Sequence, residues 1–514
     1  MSGAKKLLHN TLLLTAASFV MRTVAVSFNV YLTRKIGADG IGLFQLISSV
    51  YAMAITFGSG GIRLGSMRLV ADNISVGRFS ERQIMKICIF YSLLCGTVIA
   101  FVLFSFSELI GTKWICDQRS IASLKVLSFS LPFISVSAAL GGYFTAIGKL
   151  VRYTAVQLGE QIFKIAITVF ALKNAVSYGM EASCVAIVFG ITSAEIFSMI
   201  SSVILYRFTS KKSDITEKGS DITKKLLRIC IPDAVGSEMR SVLMTIEHLL
   251  IPVGFRKSGV NAQSSMATYG IIHGMSLPLV LYPSALLSSL SGLLVPEISA
   301  QYTKGNSSRI SYMTARVLHF ALLFAIGTAG IIYFNAEEIS VGVYGNNDVT
   351  FYTRLLSPLI PIMYLDMTID GILKGLDQQV SYMRYNIIDA CICVIFVYIL
   401  VPIFSVKGYI FVVFLSEIIN FALSFRRLTV VSEVRVDLFR SIVIPILCIT
   451  CSGVMKNIFF PGIATGSSVR IYAVVTTFFC VLLYLFLLKV FSSIEKEEID
   501  WIKRISLLKV RKNK

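Results

Sequence analysis

Long apolar stretches separated by short polar segments run through almost the whole chain. A stretch of about 20 apolar residues is long enough to span the hydrocarbon core of a bilayer. Fourteen candidate spans lie at approximately residues 11–32, 41–62, 84–106, 121–145, 153–173, 184–206, 229–253, 268–295, 313–334, 351–374, 385–405, 407–425, 438–459 and 469–491. The pattern predicts an all-α polytopic membrane protein with about fourteen transmembrane helices.

Composition agrees with this fold class. Of the 514 residues, 55% are apolar and only 15% are charged, whereas a soluble chain usually carries about 25% charged residues. The net charge of +19 would suit nucleic acid, but the positions of the cations argue against that partner. When span ends are counted with the loops they adjoin, the N-terminus and every second loop hold 33 of the 48 Lys and Arg residues.

This asymmetry is a topology signal. Because basic residues concentrate on the cytoplasmic side of membrane proteins, it predicts a multi-pass protein of the cell membrane with both termini in the cytoplasm. An even number of spans is then required. The basic loops would lie against anionic membrane lipids, and we expect no nucleic-acid partner.

Short sequence matches indicate an internal duplication. Arg34-Lys35-Ile36-Gly37 and Arg256-Lys257-Ser258-Gly259 are 222 residues apart, as are Glu195 and Glu417. Since six spans separate equivalent points, both copies enter the membrane with the same orientation. The matches predict two six-helix lobes related by an axis along the membrane normal, with a substrate cavity between them.

The predicted organisation places spans 1–6 in an N-lobe and spans 7–12 in a C-lobe. The two remaining spans are an addition to the second lobe, and the basic tail has apolar residues at helical spacing, which is typical of an amphipathic helix on the cytoplasmic leaflet. The ranges are 1–206 for the N-lobe, 207–228 for a cytoplasmic linker, 229–430 for the C-lobe, 431–491 for spans 13 and 14, and 492–514 for the tail.

Charged residues inside the spans mark the candidate cavity. A charge at the centre of a membrane helix costs about 2.5–3.5 kcal/mol on insertion scales, so it normally faces a wet cavity or a partner. In span 7, Asp233, Arg240 and Glu247 fall within about 40° of one another on one helical face. Arg22 and Asn29 share a stripe of span 1. We predict that these five residues bind substrate, because arginines in a low-dielectric cavity favour an anion such as pyrophosphate.

Other charged residues have two interpretations. Glu160 and Lys164 of span 5 are four residues apart, and Asp366, Asp370 and Lys374 of span 10 follow one another at the same spacing. They are candidates for ion coupling, with Na⁺ or H⁺ as the ion, or for pairs that hold helices together.

Two arginines near the predicted cytoplasmic mouth of span 2 also have two interpretations. Arg63 and Arg68 are candidates for substrate entry or are simply topology charges.

No catalytic or metal chemistry stands out. The chain has no G-x-x-x-x-G-K-[ST] loop for nucleotides and no convincing set of nucleophile and base, so we expect no enzymatic activity and no cofactor. The ten cysteines are scattered, and none has companions at metal-ligand spacing. We expect no metal site and interpret the cysteines as small core residues.

Several stretches resemble the stage V sporulation protein B family. They are LTRKIGADGIGLFQL at 32–46, RLVADN at 68–73, QLGEQIFK at 157–164, TIEHLLIPVGFRKSG at 245–259, HGMSLPLVLYPSALLSSLSGLLVPEI at 273–298 and GLDQQVSYMRYN at 375–386. That family belongs to the superfamily of multidrug, oligosaccharidyl-lipid and polysaccharide exporters, alongside the lipid II flippases. The resemblance implies fourteen helices in two lobes and export of a polyprenyl-pyrophosphate-linked saccharide. It matches Arg22 to a cavity arginine of the flippases, and Asn29 stands where they often have a second arginine.

The leading hypothesis is therefore a lipid-linked saccharide flippase, with a peptidoglycan precursor for the spore cortex as its cargo. A first alternative is a multidrug exporter of the same fold, driven by Na⁺ or H⁺. A second is a non-transporting membrane scaffold whose partners are cell-wall synthesis proteins. Charge reversal at Arg22 separates these classes, because a scaffold would tolerate it.

Overall fold

The computed structural model describes residues 3–76, 80–210, 220–434, 437, 439–462 and 469–491. Within these ranges the chain is helical throughout and contains no strand. The predicted amphipathic tail at 492–514 lies outside the described residues, so it stays a prediction. The all-α fold class is confirmed.

Eighteen α-helices make up the described chain, and short π and 3-10 turns join several of them. Their bounds are α1 Gly3–Ser59, α2 Ile62–Val76, α3 Glu81–Leu109, α4 Ile121–Ser128, α5 Leu131–Ala146, α6 Leu150–Ala175, α7 Met180–Thr209, α8 Ser220–Lys257, α9 Ala262–Tyr269, α10 Leu277–Leu281, α11 Ala285–Thr303, α12 Ser307–Phe334, α13 Ala336–Tyr344, α14 Asp348–Leu356, α15 Ile360–Gly375, α16 Gln379–Ser432, α17 Ile444–Phe459 and α18 Val469–Val490.

By length and apolar composition, ten helical segments of the described chain can cross a membrane, or eleven if a bent pair at 118–146 counts as one span. Two of the ten contain a break in helical geometry, at Gly37 in α1 and at Ser405 in α16. Gly37 falls between two predicted spans, and Ser405 is the last residue of the predicted span 385–405. Helix α8 is 38 residues long, but its charged side chains exclude it from the apolar criterion. Counting the bent pair as one span, each divided helix as two and α8 as one agrees with fourteen spans.

Two prolines coincide with a broken span in the middle of the chain. Between α9 and α11 the chain forms a π-turn at 270–276, the five-residue α10, and a 3-10 turn at 282–284. Pro278 and Pro283 lie in this stretch, where each removes a backbone donor and prevents a regular helix. In contrast, α8 continues through Pro232 and Pro252.

The chain divides into two compact units. Unit 1 contains Met1–Arg34, Ile271–Cys393 and Tyr409–Lys514, and unit 2 contains Lys35–Gly270 and Val394–Gly408. These ranges differ from the predicted lobes at 1–206 and 229–430. The division of α1 follows from Gly37, whose φ of +70° is a conformation open mainly to glycine. The predicted lobes and linker stay a prediction.

Unit 1 holds the first part of α1 through side-chain hydrogen bonds. The Asn29 amide donates to the Gly274 carbonyl at 2.6 Å, and the Thr23 and Tyr282 hydroxyls are 3.0 Å apart. The Arg34 guanidinium donates to the carbonyls of Gly342 and Val343, near the end of α13. These contacts fix α1 against the broken span and against α13.

Unit 2 contains the second part of α1. Its backbone lies directly against the backbone of the segment around Met266 and Gly270, with no side chain between them. A Cβ atom added at Gly42 would lie 2.1 Å from the Met266 carbonyl oxygen, and one at Gly270 would lie 2.2 Å from the Ala38 oxygen. Only glycine permits this approach of two helices. Unit 2 also has a core of buried residues that includes Tyr143, Phe144 and Cys230.

Candidate functional site

An apolar cavity of about 760 Å³ lies in unit 1. Its walls are one face of α12 and one face of α18, and Phe19 of α1 and the 3-10 turn at 282–284 also line it. The α18 residues on the wall recur at helical spacing, at Thr477, Val481, Leu485 and Leu488. This cavity, which we call the groove, is lined mainly by Leu, Ile, Val and aromatic side chains.

The groove is long as well as apolar. Its α12 wall runs from Arg316 to Ile332, which at 1.5 Å per residue corresponds to about 24 Å. Gly327 leaves space for the Tyr484 ring, since a Cβ atom there would lie 2.4 Å from that ring. The Tyr484 hydroxyl donates to the Leu323 carbonyl at 2.8 Å, and this hydrogen bond joins α18 to α12 beside the groove.

Polar groups occur at one end of the groove. Arg316 and His319 are the first two residues of α12 on the wall, and His319 Nδ1 is 2.7 Å from the Ser441 hydroxyl. The Arg316 guanidinium also lies over the Tyr312 ring, 5.3 Å from its centre. The sequence analysis did not single out Arg316. The sequence feature that could have identified it is a cation at the fourth residue of the predicted span 313–334.

Arg22 lies one helical turn from the groove wall. Phe19 of α1 is part of that wall, and residues three apart lie on the same helical face. Arg22 is half-buried and is within electrostatic range of the Tyr364 hydroxyl. The structure thus places a cation beside a long apolar cavity.

Asn29 of span 1 and Asp366 of span 10 form hydrogen bonds within unit 1. Asn29 donates to Gly274, as described above. The Asn420 amide donates to the Asp366 carboxylate at 2.9 Å, joining α16 to α15 in the buried interior. Lys374 Nζ lies 5.0 Å from the centre of the Tyr382 ring. Asp370 lies on α15 with Asp366 and is half-buried.

In unit 2, the charged residues of α8 have different surroundings. Asp233 is half-buried and within electrostatic range of Arg68, so two residues predicted for different roles act on each other. Glu247 interacts electrostatically with the buried Tyr269, whose hydroxyl is 3.0 Å from His248 Nδ1. Arg240 is exposed.

Arg63, like Arg68, is an exposed residue of α2. It is within electrostatic range of Tyr153.

Glu160 and Lys164 belong to a larger cluster between α6 and α7. Glu160 is hydrogen-bonded to Ser198 and interacts with Lys164. Glu195 interacts with both Glu160 and Lys164. The sequence analysis used Glu195 only as a repeat marker, because its partners lie 31 or more residues away and no local pattern joins them.

The predicted substrate residues are therefore distributed over both units. Arg22 and Asn29 belong to unit 1, whereas Asp233, Arg240 and Glu247 belong to unit 2. A common cavity for the five stays a prediction. Among the described residues no group of three or more metal-ligating side chains occurs.

Comparisons with known proteins agree with this architecture. The model of a family described as polysaccharide biosynthesis protein matches residues 7–301. Stage V sporulation protein B of Bacillus subtilis (strain 168) is 21% identical over 98% of this chain and 99% of its own length. The lipid II flippase MurJ of the same organism is 20% identical over 73% of this chain and 74% of its length.

A solved structure shares the fold. The lipid II flippase MurJ in an inward closed conformation superposes with a TM-score of 0.72 at 15% identity, covering 93% of this chain and 98% of that chain. The resemblance to stage V sporulation protein B stated from sequence motifs is thus confirmed, and so is a multi-pass membrane protein with a transporter fold.

Proposed function

Because the chain belongs to the polysaccharide biosynthesis protein family, we propose that it moves a polyprenyl-pyrophosphate-linked saccharide across the membrane. The cargo in this proposal is a peptidoglycan precursor used for the spore cortex. Export proceeds by alternating access of two lobes, with both termini in the cytoplasm and with Na⁺ or H⁺ as a candidate coupling ion.

The groove carries this proposal. A polyprenyl tail is a flexible apolar chain, and its transfer from bilayer to an apolar protein surface costs little because both are hydrocarbon-like. A wall about 24 Å long matches most of the thickness of the hydrocarbon core. A cargo without a long apolar tail would not need a long apolar groove for its binding.

Arg22 supplies the complementary charge. A pyrophosphate linked to the tail needs donors close to the point where the tail leaves the groove. A guanidinium binds phosphate oxygens through paired hydrogen bonds that an ammonium does not make. Arg22 lies one turn beyond Phe19, so one segment of α1 contributes to both ends of the proposed ligand.

The names of the two relatives support the same cargo class. One relative is named for a stage of sporulation and the other for flipping lipid II. Lipid II joins a saccharide to a polyprenyl tail through pyrophosphate, which is the combination of groups that the groove and Arg22 suit.

Binding of three lipids to the purified full-length chain tests the proposal. The lipids are lipid II, undecaprenyl phosphate and phosphatidylglycerol. The double variant Leu286→Trp/Leu485→Trp fills the groove from two walls, since both leucines line it and are 49% and 48% exposed. The matched control is Leu447→Trp/Leu482→Trp, which alters leucines that are 61% and 52% exposed and do not line the groove.

We expect the groove variant to weaken both polyprenyl lipids while the control variant binds them as the wild type does. Arg22→Ala should weaken lipid II more than undecaprenyl phosphate, because it removes a partner of the pyrophosphate. Equal binding of all three lipids, unchanged by every variant, would refute the proposal and favour the drug exporter or the scaffold.

A further inference from the structure

A second cavity, of polar character, lies at one end of unit 1 where α12 and α17 end. Its volume is about 420 Å³. An adjoining cavity of about 570 Å³ shares Tyr333, Glu337 and Arg354 with it. Both volumes fall in the range of about 300–1,000 Å³ that is typical of small-molecule sites. We call this pair the end cavity.

The floor of the end cavity is a buried ion pair. Lys456 Nζ contacts the Glu338 carboxylate, and their side chains are only 6% and 5% exposed. The same ammonium donates to the Phe334 carbonyl at 3.1 Å. Because an unpaired charge is costly in such a place, the pair holds the ends of α12, α13 and α17 in a fixed arrangement.

The rim of the end cavity carries three polar side chains. The side chains of Glu337, Arg354 and Asn457 line the cavity, and among the described residues they have no hydrogen bond or ion pair. They present carboxylate acceptors, guanidinium donors, and an amide that does both. The two rim charges cancel, as do the two floor charges, so this set favours neither anions nor cations.

Aromatic rings complete the lining. The Tyr333 ring is 43% exposed, and Phe460 packs edge-on against Tyr472 with ring centres 6.1 Å apart. The Tyr472 hydroxyl donates to the Gly462 carbonyl at 2.6 Å and also lies 2.9 Å from the Phe460 carbonyl oxygen. This fixes the segment that carries Phe460.

We propose that the end cavity binds a neutral pyranose saccharide. A pyranose has an apolar C–H face that suits an exposed aromatic ring, and hydroxyls that both donate and accept hydrogen bonds. Balanced charge, mixed donors and acceptors, and exposed rings match that chemistry better than they match a lipid, a nucleotide or a metal ion. The predicted topology places the cavity on the extracytoplasmic face, where exported saccharide is present.

The end cavity shares no lining residue with the groove, and Arg22 is not part of its lining. This binding concerns saccharide that has already crossed the membrane, and in that respect it rests on the proposed function. The saccharide has two sources with the same chemistry, the headgroup of the delivered lipid and a glycan chain already outside the cell.

Binding of the neutral probes di-N-acetylchitobiose and cellobiose to the full-length protein, measured by saturation-transfer NMR and calorimetry, tests the proposal. Tyr333→Ala should weaken binding about tenfold, since loss of an aromatic contact of about 1.4 kcal/mol changes affinity by that factor. Tyr333→Phe keeps the ring and should bind within about twofold of the wild type. Tyr302→Ala is the matched control, because Tyr302 is 44% exposed and lies outside the cavity.

Arg354→Gln should also weaken both probes, and all four variants should keep the melting temperature of the wild type. Arg22→Ala should leave probe binding unchanged, so failure of the lipid experiment and failure of this one are distinguishable. Absence of binding by both probes, or binding unaffected by Tyr333→Ala and Arg354→Gln, would overturn the proposal. Competition by lipid II would assign the saccharide to the lipid headgroup, and its absence would assign it to free glycan.

Discussion

Arg34 and Arg256 are 222 residues apart and make equivalent contacts. The Arg34 guanidinium donates to the Gly342 carbonyl at 3.4 Å, between the ninth and tenth predicted spans. The Arg256 guanidinium donates to the Cys116 carbonyl at 3.5 Å, between the third and fourth. Each arginine precedes by three residues a glycine with positive φ, at +70° in Gly37 and +95° in Gly259. The correspondence extends the sequence repeat from residue identities to backbone conformation and tertiary contact.

Two glycine substitutions in α1 should differ sharply in cost. Gly37→Ala meets no atom within 4 Å and should cost about 1–3 kcal/mol of backbone strain, because φ +70° with ψ −178° is a conformation that essentially only glycine adopts. Gly42→Ala would place Cβ 2.1 Å from the Met266 carbonyl oxygen, so α1 and α9 would have to separate. Melting temperatures of the purified variants check this order. A Gly42→Ala protein as stable as the wild type would contradict the tight packing.

Lys164→Met should destabilise the cluster of Glu160, Lys164 and Glu195. The substitution removes the cation that acts on both carboxyl groups, and it leaves two half-buried carboxyl groups close to each other without a compensating charge. The double variant Lys164→Met/Glu160→Gln should recover part of that loss, because it removes one uncompensated charge. Thermal stability in the same detergent is the measurement. If the double variant were less stable than Lys164→Met, the assigned pairing would be wrong.

The Glu338–Lys456 pair should give a similar double-mutant cycle. Both side chains are about 95% buried, so Lys456→Met leaves an unpaired buried carboxylate and should cost about 3–5 kcal/mol. Glu338→Gln/Lys456→Met should be more stable than Lys456→Met alone. Additive effects of the two single substitutions would show that the residues do not interact.

Orientation can be tested with a cysteine that the chain already has. Cys116 is exposed in the turn between the third and fourth predicted spans, which the charge distribution places outside the cell. A membrane-impermeant maleimide should therefore label it in intact cells, and Cys116→Ser should abolish that signal. Labelling that appears only after permeabilisation would reverse the predicted orientation of both termini.

Much of the fold was predictable from sequence because a bilayer allows few solutions. Backbone groups in hydrocarbon must form hydrogen bonds within the segment, so an apolar stretch of about 20 residues is expected to form a helix. The helix breaks were partly readable too, since Gly37 lies between predicted spans and Pro278 and Pro283 lie in the broken one.

The candidate site was less predictable. The stripe rule placed Asp233, Arg240 and Glu247 on one face of span 7, but it gave no partners for them. The electrostatic contact between Arg68 and Asp233 and the hydrogen bond between Asn420 and Asp366 join helices that are far apart in the chain. No local periodicity contains that information.

The sequence by itself therefore determined the all-helical class, the approximate spans and the family, because hydrophobic length and local motifs are one-dimensional properties. Only the tertiary structure decided that α12 and α18 enclose an apolar groove and that Glu338 and Lys456 form the floor of a polar cavity. The physical reason is that cavities arise from the packing of faces contributed by distant segments. Each of these helices, considered alone, has the apolar sequence pattern of an ordinary membrane helix.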